Sequence, residues 1–470
     1  MKTLKEIDFD TTSELELDNS NLSKMKNLLD ATGCGFCLAK WTQVTIHLGS
    51  GINHSCHHVG AHKIPLEELQ TNPNALHNTI YKKQRRKEMK QGIRPEECDY
   101  CWRIEDNTED FSDRVLKSIS PWSRIDHDSI VQKSWEEDFY PRYVEVSFSN
   151  VCNFKCAYCG PPFSSKWTEE IKQHGPYQLY KTHYNGIKDH EIPFREREEN
   201  PYIEAFWKWF PEAVTHMLEF RITGGEPLLS KHTFSVIEHL IQNPQPHLNF
   251  SINTNACPPG DKWKDFVELL QILEQKNCVN SVNIFVSAES KGNHAEYVRM
   301  GMDWFKFDSN VKYLLTQTKK VGLSFMSAVN VLSLPSLKEY INFVLNLKKM
   351  YNTQEMRVKV DFAYVRHPHF LDIKIADKQL LDNYLMPSIQ IMLDNITDLL
   401  YNKWEVDKLQ RIANDCYNRI ERNDSVEKTD INRYRLQLSQ FIKEYDKRRK
   451  SDFETAFPEY ERFINLCRDS

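Results

Sequence analysis

Three cysteines stand at C-x3-C-x2-C spacing in Cys152-Asn-Phe-Lys-Cys156-Ala-Tyr-Cys159, directly after the apolar alternating run Tyr143-Val-Glu-Val-Ser-Phe-Ser-Asn150. Three thiols cannot form an even set of disulfides. As thiolates they are the usual ligands of iron–sulfur clusters, and three ligands on a four-iron cube leave one iron open to a substrate or cofactor. A closed zinc site takes four ligands, and no fourth Cys or His lies close by in the sequence. A second stretch, Arg221-Ile-Thr-Gly-Gly-Glu-Pro227, could also bind a ligand. Its two glycines let the backbone approach closely. The Glu226 carboxylate and the nearby carbonyls can accept hydrogen bonds from an ammonium group, and Pro227 stiffens the turn. Taken alone, Gly-Gly-Glu-Pro is a turn signal of low specificity.

Together these residues resemble the signature of the radical S-adenosylmethionine (radical SAM) superfamily, C-x3-C-x-aromatic-C followed by Gly-Gly-Glu-Pro. Tyr158 fills the aromatic place. The resemblance implies a [4Fe–4S] cluster on Cys152, Cys156 and Cys159, whose open iron chelates the amino and carboxyl groups of S-adenosylmethionine (SAM). An electron then cleaves SAM to methionine and a 5′-deoxyadenosyl radical, which takes a hydrogen atom from a substrate. Gly224, Gly225, Glu226 and Pro227 are implied to bind the SAM amino group. Further contacts are expected where later strands end, because parallel barrels put function there. They are Asn255, Ser287 and Glu289, then Arg299 toward the SAM carboxylate, then Asn330 and Val331 along the adenine. A strand-end cap or a solvated polar group is the alternative for each. Cys257, in Asn253-Thr-Asn-Ala-Cys257-Pro-Pro, is a candidate hydrogen-atom donor to a substrate radical; a loop thiol without a role is the competing reading.

The elements that position these groups read as β-then-α units. Strands are expected at 143–150, 218–223, 249–255, 282–289, 323–332 and 357–365, with helices at 231–242, 261–275, 308–321 and 336–350. Such alternation implies a parallel sheet with right-handed crossovers, and six units are too few to close an eight-stranded barrel. The expected fold is α/β, a partial (β/α)6 barrel, which the resemblance also implies. Residues 172–200 read as an insertion in the first crossover, on the surface or over the site. Residues 377–402 and 403–447 read as helical and charged, with Cys416 and Cys467 as packing thiols. The domains expected are 1–141, a Cys-rich N-terminal module; 142–376, the barrel; and 377–470, a helical extension.

The N-terminal module carries Cys34, Cys37, Cys56, Cys98 and Cys101. Apolar strands around Gly49-Ser-Gly51 form a plausible hairpin that would bring Cys37 and Cys56 together, and Cys98-Asp-Tyr-Cys101 is a C-x2-C clamp common to zinc and iron–sulfur sites. The arrangement resembles the SPASM/twitch auxiliary-cluster module of peptide-modifying radical SAM enzymes. It implies a second [4Fe–4S] cluster on Cys37, Cys56, Cys98 and Cys101, with Cys34 as a spare or a substitute for Cys37. Such modules usually follow the barrel, whereas this one precedes it. A zinc knuckle remains the alternative, since His54, His57 and His58 flank Cys56.

The chain has 470 residues, 40% hydrophobic and 27% charged, with a net charge of −5, which gives no reason to expect strong non-specific nucleic-acid binding. The basic runs Lys82–Lys87 and Lys447–Lys450 read as solvated helix faces. The N-terminus is polar, and no apolar run is long enough to span a membrane. A cytoplasmic location is expected, where twelve cysteines stay reduced and serve as ligands rather than disulfides. Partners implied are a one-electron donor such as flavodoxin or ferredoxin and a substrate. A peptide or protein substrate follows from the module resemblance. The alternatives are a small molecule or nucleotide as substrate, or a non-enzymatic iron–sulfur or zinc binding module.

Overall fold

The computed structural model describes residues 18–187, 193–194, 199–422 and 424–470. In chain order its strands are β1 (Gln43–His47), β2 (Ile52–His54), β3 (His62–Lys63), β4 (Tyr143–Ser147), β5 (Lys155–Cys156), β6 (Tyr177–Leu179), β7 (Thr182–Tyr184), β8 (Glu219–Thr223), β9 (Gln245–Thr254), β10 (Val279–Ser287), β11 (Arg299–Met300), β12 (Gly322–Val329) and β13 (Val358–Tyr364). The chain divides into two compact units, 1–149 with 193–224 and 245–250, and 150–192 with 225–244 and 251–470. Strand β9 begins in the first and ends in the second.

In the first unit the strand order is β9-β8-β4-β1-β2-β3. β1 pairs parallel with β4, and β4 parallel with β8, in a register that sets Val44 beside Val144 and Val146 beside Ile222. Side chains alternate between the faces with period two. Val44, Ile46, Val144, Val146, Phe220 and Ile222 are fully buried on one face, and Thr45, Glu145 and Arg221 fall in one row on the other. Helix Pro201–Ala213 covers the apolar face. Asn200 starts it by accepting the Tyr202 N–H, with Pro201 in its first turn. Phe206 meets Phe148 edge-on at 5.1 Å, and Phe210 lies 5.1 Å from Phe220. Each ring so buried stabilises the fold by about 1.5–3 kcal/mol.

The expected N-terminal hairpin is present as β1 and β2, antiparallel, with Thr45 opposite His54. Gly51 closes it at φ +63, where a Cβ would lie 2.1 Å from the Tyr202 ring. The hairpin is not a separate piece, because β1 continues the parallel sheet beside β4.

In the second unit the order is β13-β12-β10-β9, with β10–β12 and β12–β13 parallel. Counting β9 once, nine strands take part in an α/β arrangement with helices between the parallel strands. All six expected strands occur, as β4, β8, β9, β10, β12 and β13. The helix expected over 308–321 is Trp304–Gln317 instead, because the Asp303 side chain accepts the Lys306 N–H at 2.9 Å and starts it early. The strand expected to reach 332 stops at Val329, because Asn330 caps a 3-10 turn over Val331–Ser336. The helical C-terminal part is present, but the run expected over 403–447 is two helices, Lys403–Arg422 and Ser425–Arg449. Asp424 starts the second by accepting the N–H groups of Val426 and Glu427.

The insertion at 172–200 contains the hairpin β6–β7, and its residues 188–192 and 195–198 lie outside the described residues, as does the polar N-terminus. No described helix is long and apolar enough to cross a membrane. The two basic runs are not simply solvated. Lys82 and Arg86 are buried, as are the side chains of Arg448 and Arg449. Each run has one face turned into the protein, where it finds partners: Arg86 bonds Asn78, His77 and the Lys40 carbonyl.

Candidate active site

The cysteine triplet occupies the loop after β4 and is fastened mainly through its backbone. Trp167 Nε1 donates to the Cys156 carbonyl at 2.9 Å, and Asn185 Nδ2 donates to the Cys159 carbonyl at 2.7 Å. The Tyr184 hydroxyl lies 3.1 and 3.0 Å from the carbonyls of Ala157 and Cys159. Strand β5 pairs antiparallel with β11, setting Cys156 opposite Arg299. The sulfurs have their own donors, the Phe154 N–H to Cys152 at 3.4 Å and Arg299 Nη1 to Cys156 at 3.7 Å. Burial first, and the neighbouring Cys156 second, push the thiols of Cys152 and Cys159 up, the latter to about 12. Burial also raises Cys156, opposed by the Arg299 guanidinium. Three mutually interacting thiols in one loop, with cations beside them, are a donor set that suits an anionic thiolate-bound cluster.

The Gly-Gly-Glu-Pro turn packs on the same loop. Gly224 has φ +124, and a Cβ there would lie 2.5 Å from Ser147 Oγ. At Gly225 a Cβ would lie 2.4 Å from the Val151 carbonyl oxygen and 2.6 Å from the Asn150 carbonyl carbon. Both are backbone atoms that cannot swing aside. The Glu226 N–H then donates to the Val151 carbonyl at 2.7 Å. The Glu226 carboxylate is buried and already bonded. It accepts from the Leu228 N–H at 3.1 Å, the Thr254 hydroxyl at 2.7 Å and the Asn255 N–H at 2.6 Å. Burial nonetheless raises it to about 7. Within the turn the Glu226 and Pro227 carbonyls accept the N–H groups of Leu229 and Ser230 at 2.9 and 3.1 Å. Pro227 opens a short 3-10 turn to Leu229.

The strand-end residues lie in the second unit, and most are bonded to protein partners. The Glu289 carboxylate pairs with Arg299, Nη2 to Oε2 at 2.5 Å and Nε to Oε2 at 3.0 Å, and accepts the Tyr158 hydroxyl at 3.1 Å. The Arg299 guanidinium also lies 5.4 Å from the centre of the Tyr158 ring. Burial opposes the charge on Arg299, but Glu289 outweighs it and holds Arg299 firmly protonated. Asn255 donates to Asn153 Oδ1 at 2.8 Å and accepts the Cys257 N–H at 2.9 Å. Asn330 caps the turn after β12, accepting the Leu332 N–H and donating to the Ala328 carbonyl. Val331 is buried, and its carbonyl accepts the Tyr460 hydroxyl at 2.5 Å. Ser287 ends β10 half-buried. Cys257 is buried, its thiol 3.7 Å from the Asp303 carbonyl and raised by burial to about 12.

The triplet's supports were not foreseen from the sequence. Tyr184 has no motif around it, nor do Arg449, which donates to the Lys155 carbonyl at 2.6 Å, and Glu170, which Arg449 Nε bonds at 3.0 Å; Arg449 lies in a run that reads as solvated helix.

In the first unit, Cys37, Cys56, Cys98 and Cys101 line one pocket, together with Lys40, His58, Trp102, Arg114 and Lys117. Cys34 is exposed and turned away, its thiol donating to the Gly92 carbonyl at 2.9 Å. Cys56 follows β2, Cys98 ends a 3-10 turn, and Cys101 sits in the helix Asp99–Asn107. Trp102 Nε1 anchors that helix on the Pro95 carbonyl at 2.9 Å. Burial, then the charge of a neighbouring group, sets the thiols: Cys37 is raised by burial and by Cys56, and Cys101 to about 12 by burial and by Cys37. Cys98 also reaches about 12, although Lys40 pulls it down. Lys40 is buried and paired with Glu97, which also accepts the Tyr81 hydroxyl at 2.7 Å. Four thiols with three cations around them fit a thiolate-ligated, negatively charged group. His58 bonds Asp113 at 2.9 Å and stacks on Tyr100 at 3.6 Å, while the His54 ring bonds the Cys56 carbonyl. Among the described residues no three His, Cys, Asp or Glu side chains form a group that could hold a single metal ion. Zinc draws its sulfur ligands to about 2.3 Å, whereas each thiolate of a cluster binds its own iron.

No family model matches the chain, and no curated protein matches it. The chain is similar to solved structures of Streptococcus suis SuiB, over 75% of its length. With the form bound to precursor peptide SuiA the identity is 15%, 69% of that chain is covered and the TM-score is 0.32. With SuiB itself the figures are 14%, 68% and 0.34. With SuiB bound to S-adenosylmethionine they are 15%, 69% and 0.34.

Proposed function

We propose that this chain is a radical SAM enzyme. The observation that carries the reading is the contact between its two motifs: Gly225 lies against the backbone of Asn150 and Val151, and the Glu226 N–H bonds the Val151 carbonyl at 2.7 Å. A loop offering three thiols and a turn whose glycine backbone a ligand can approach closely are thereby joined directly. In this reading Cys152, Cys156 and Cys159 hold a [4Fe–4S] cluster. The turn Gly224–Pro227 receives the SAM amino group, and Ser287 and Val331 line the rest of the cofactor. Tyr158, Asn255, Glu289, Arg299 and Asn330 are read as further SAM contacts, held in place by the bonds described above. Bound there, the cluster and SAM would supply reductive cleavage of SAM and abstraction of a hydrogen atom from the substrate. The protein's own work is to orient both partners and exclude water.

The strands β4, β8, β9, β10, β12 and β13 are read as a partial (β/α)6 barrel, residues 142–376, followed by the helical extension 377–470. Residues 1–141 are read as an auxiliary-cluster module whose ligands are Cys37, Cys56, Cys98 and Cys101, supported by the pocket those four line. The substrate proposed is a peptide or protein, the location cytoplasmic, and the electron donor a flavodoxin or ferredoxin. Cys257 is kept as a candidate hydrogen donor. If Cys257→Ala retains full turnover and the same product, that role is excluded.

Anaerobic reconstitution tests the whole reading. An iron count near eight, a reduced-cluster spectrum that changes on adding SAM, and release of 5′-deoxyadenosine are expected. A count near four with the same chemistry would remove the second cluster. A fully loaded, reduced protein that releases no deoxyadenosine would make the chain a binding module rather than an enzyme.

A further inference from the structure

We propose that Arg449, the last residue of helix Ser425–Arg449, is a positioning residue for the cysteine loop and raises the reduction potential of the cluster that the loop carries. The proposal rests on the reading that Cys152, Cys156 and Cys159 hold a [4Fe–4S] cluster. It gives the C-terminal extension a task in the chemistry.

Arg449 Nη1 donates to the carbonyl of Lys155, the residue before Cys156, at 2.6 Å. Its Nε and Nη2 donate to the two carboxylate oxygens of Glu170 at 3.0 and 3.3 Å. The side chain is 1% exposed. Its guanidinium lies 3.9 Å from the Tyr445 ring centre and 4.5 Å from that of Trp167, and Trp167 in turn donates to the Cys156 carbonyl. The backbone on both sides of the Lys155–Cys156 peptide is therefore tied to one buried cluster of side chains. A planar, five-donor guanidinium suits this task better than an ammonium group, because it serves a carbonyl and a carboxylate at fixed angles.

The charges do not cancel. Lys155 Nζ also reaches Glu170, at 2.8 Å, so two cations share one carboxylate, whose remaining partner is the neutral Tyr177 hydroxyl at 2.6 Å. On the other side of Cys156 the Arg299 charge is matched by Glu289. The uncompensated positive charge next to Cys156 comes from the Lys155–Glu170–Arg449 group. Net charge around a cluster is one of the main determinants of its potential. A buried cation favours the reduced, more negative state, since charges interact strongly away from water.

The test is a redox titration, followed by electron paramagnetic resonance, of the anaerobically reconstituted full chain, using the signal that responds to SAM. Arg449→Gln is expected to lower the midpoint. At the potential where the wild type is half reduced, its oxidised-to-reduced ratio should rise about tenfold, which is 59 mV for a one-electron couple. Glu170→Gln removes the shared carboxylate and should shift the midpoint the other way. A structural role alone would shift neither, or both in one direction, and either result overturns the proposal. If Arg449→Gln does not retain iron, Arg449→Lys and Glu170→Gln carry the test: an unshifted potential in Glu170→Gln overturns it, and an upward shift with near-wild-type potential in Arg449→Lys supports it. A wild type that takes up no SAM-responsive cluster overturns the cluster reading itself. Loaded clusters with unshifted potentials overturn only the role of Arg449.

Discussion

Arg299 and Glu289 form a buried ion pair beside Cys156, 2.5 Å between Nη2 and Oε2, and the same carboxylate accepts the Tyr158 hydroxyl at 3.1 Å. The pair joins the aromatic residue of the cysteine motif to the end of the region after β10. Its guanidinium also reaches the Cys156 sulfur. Each member of this group limits where the next can sit.

Removing one charge from that pair should be severe. Glu289→Gln keeps the shape but leaves Arg299 buried without a counter-charge, and about 3–5 kcal/mol of stability should be lost. Replacing both, as Glu289→Leu with Arg299→Met, should recover much of that loss. Chemical unfolding of the three proteins checks the order. A Glu289→Gln protein as stable as the wild type would show that the pair is not desolvated as described.

Gly225→Ala should dislodge the cysteine loop. Its Cβ would meet the Val151 and Asn150 backbone at 2.4 and 2.6 Å, and forcing atoms into a packed site costs about 1–3 kcal/mol. The expected result is a lower melting temperature and loss of about four irons from the reconstituted protein, with any N-terminal metal retained. Gly186→Ala is the control, since nothing lies within 4 Å of a Cβ there, and it should change neither quantity. Full iron loading in Gly225→Ala would refute the account of the turn.

What could be read in the sequence, and what could not, follows from the range of each interaction. The strands β4, β8, β9, β10, β12 and β13 were legible because their apolar alternation is local, and so was the β1–β2 hairpin. The joining of β1 to β4 was not, since Val44-Thr-Ile-His47 shows that a strand exists but not which edge receives it. The ends of β12 and of helix Trp304–Gln317 turned on single capping side chains, Asn330 and Asp303, which compete with the hydrophobic pattern. At the candidate site the thiols and the glycine turn were legible because their chemistry is carried within a few residues. The commitments of Glu289, Arg299 and Asn255 to protein partners were hidden, because a polar residue at a strand end looks the same whether it faces a ligand or a neighbour. Arg449 was the least legible of all, since its partners Lys155 and Glu170 lie nearly the whole length of the second unit away in sequence.

Cys34 and Cys37 should separate cleanly. Cys37 lines the pocket with Cys56, Cys98 and Cys101, whereas the Cys34 thiol is directed at the Gly92 carbonyl on the outside. Cys34→Ser should retain the full N-terminal metal content, and Cys37→Ser should lose it. Metal analysis of both variants also distinguishes iron from zinc. Loss of metal in Cys34→Ser with retention in Cys37→Ser would reverse the assignment of ligands.

His62 should make the protein acid-sensitive. Its Nε2 bonds the Thr79 hydroxyl at 2.9 Å, and its ring lies 4.5 Å from that of Tyr81. Burial, and then the charge of Lys82, lowers its pKa to about 3. In the unfolded chain a histidine titrates near 6.5. The unfolded state therefore binds a proton between those two values that the folded state refuses. Stability from this residue is complete above pH 6.5 and declines as the pH falls toward 3, by about 2 kcal/mol between pH 6.5 and 5. His62→Gln, which keeps a side-chain amide near Thr79 but cannot titrate, should be less stable than the wild type at pH 7.5. That difference should shrink on acidification, because only the wild type pays for refusing the proton. Chemical unfolding of both proteins at several pH values measures it, and parallel stability curves would show that His62 is protonated freely in the folded state.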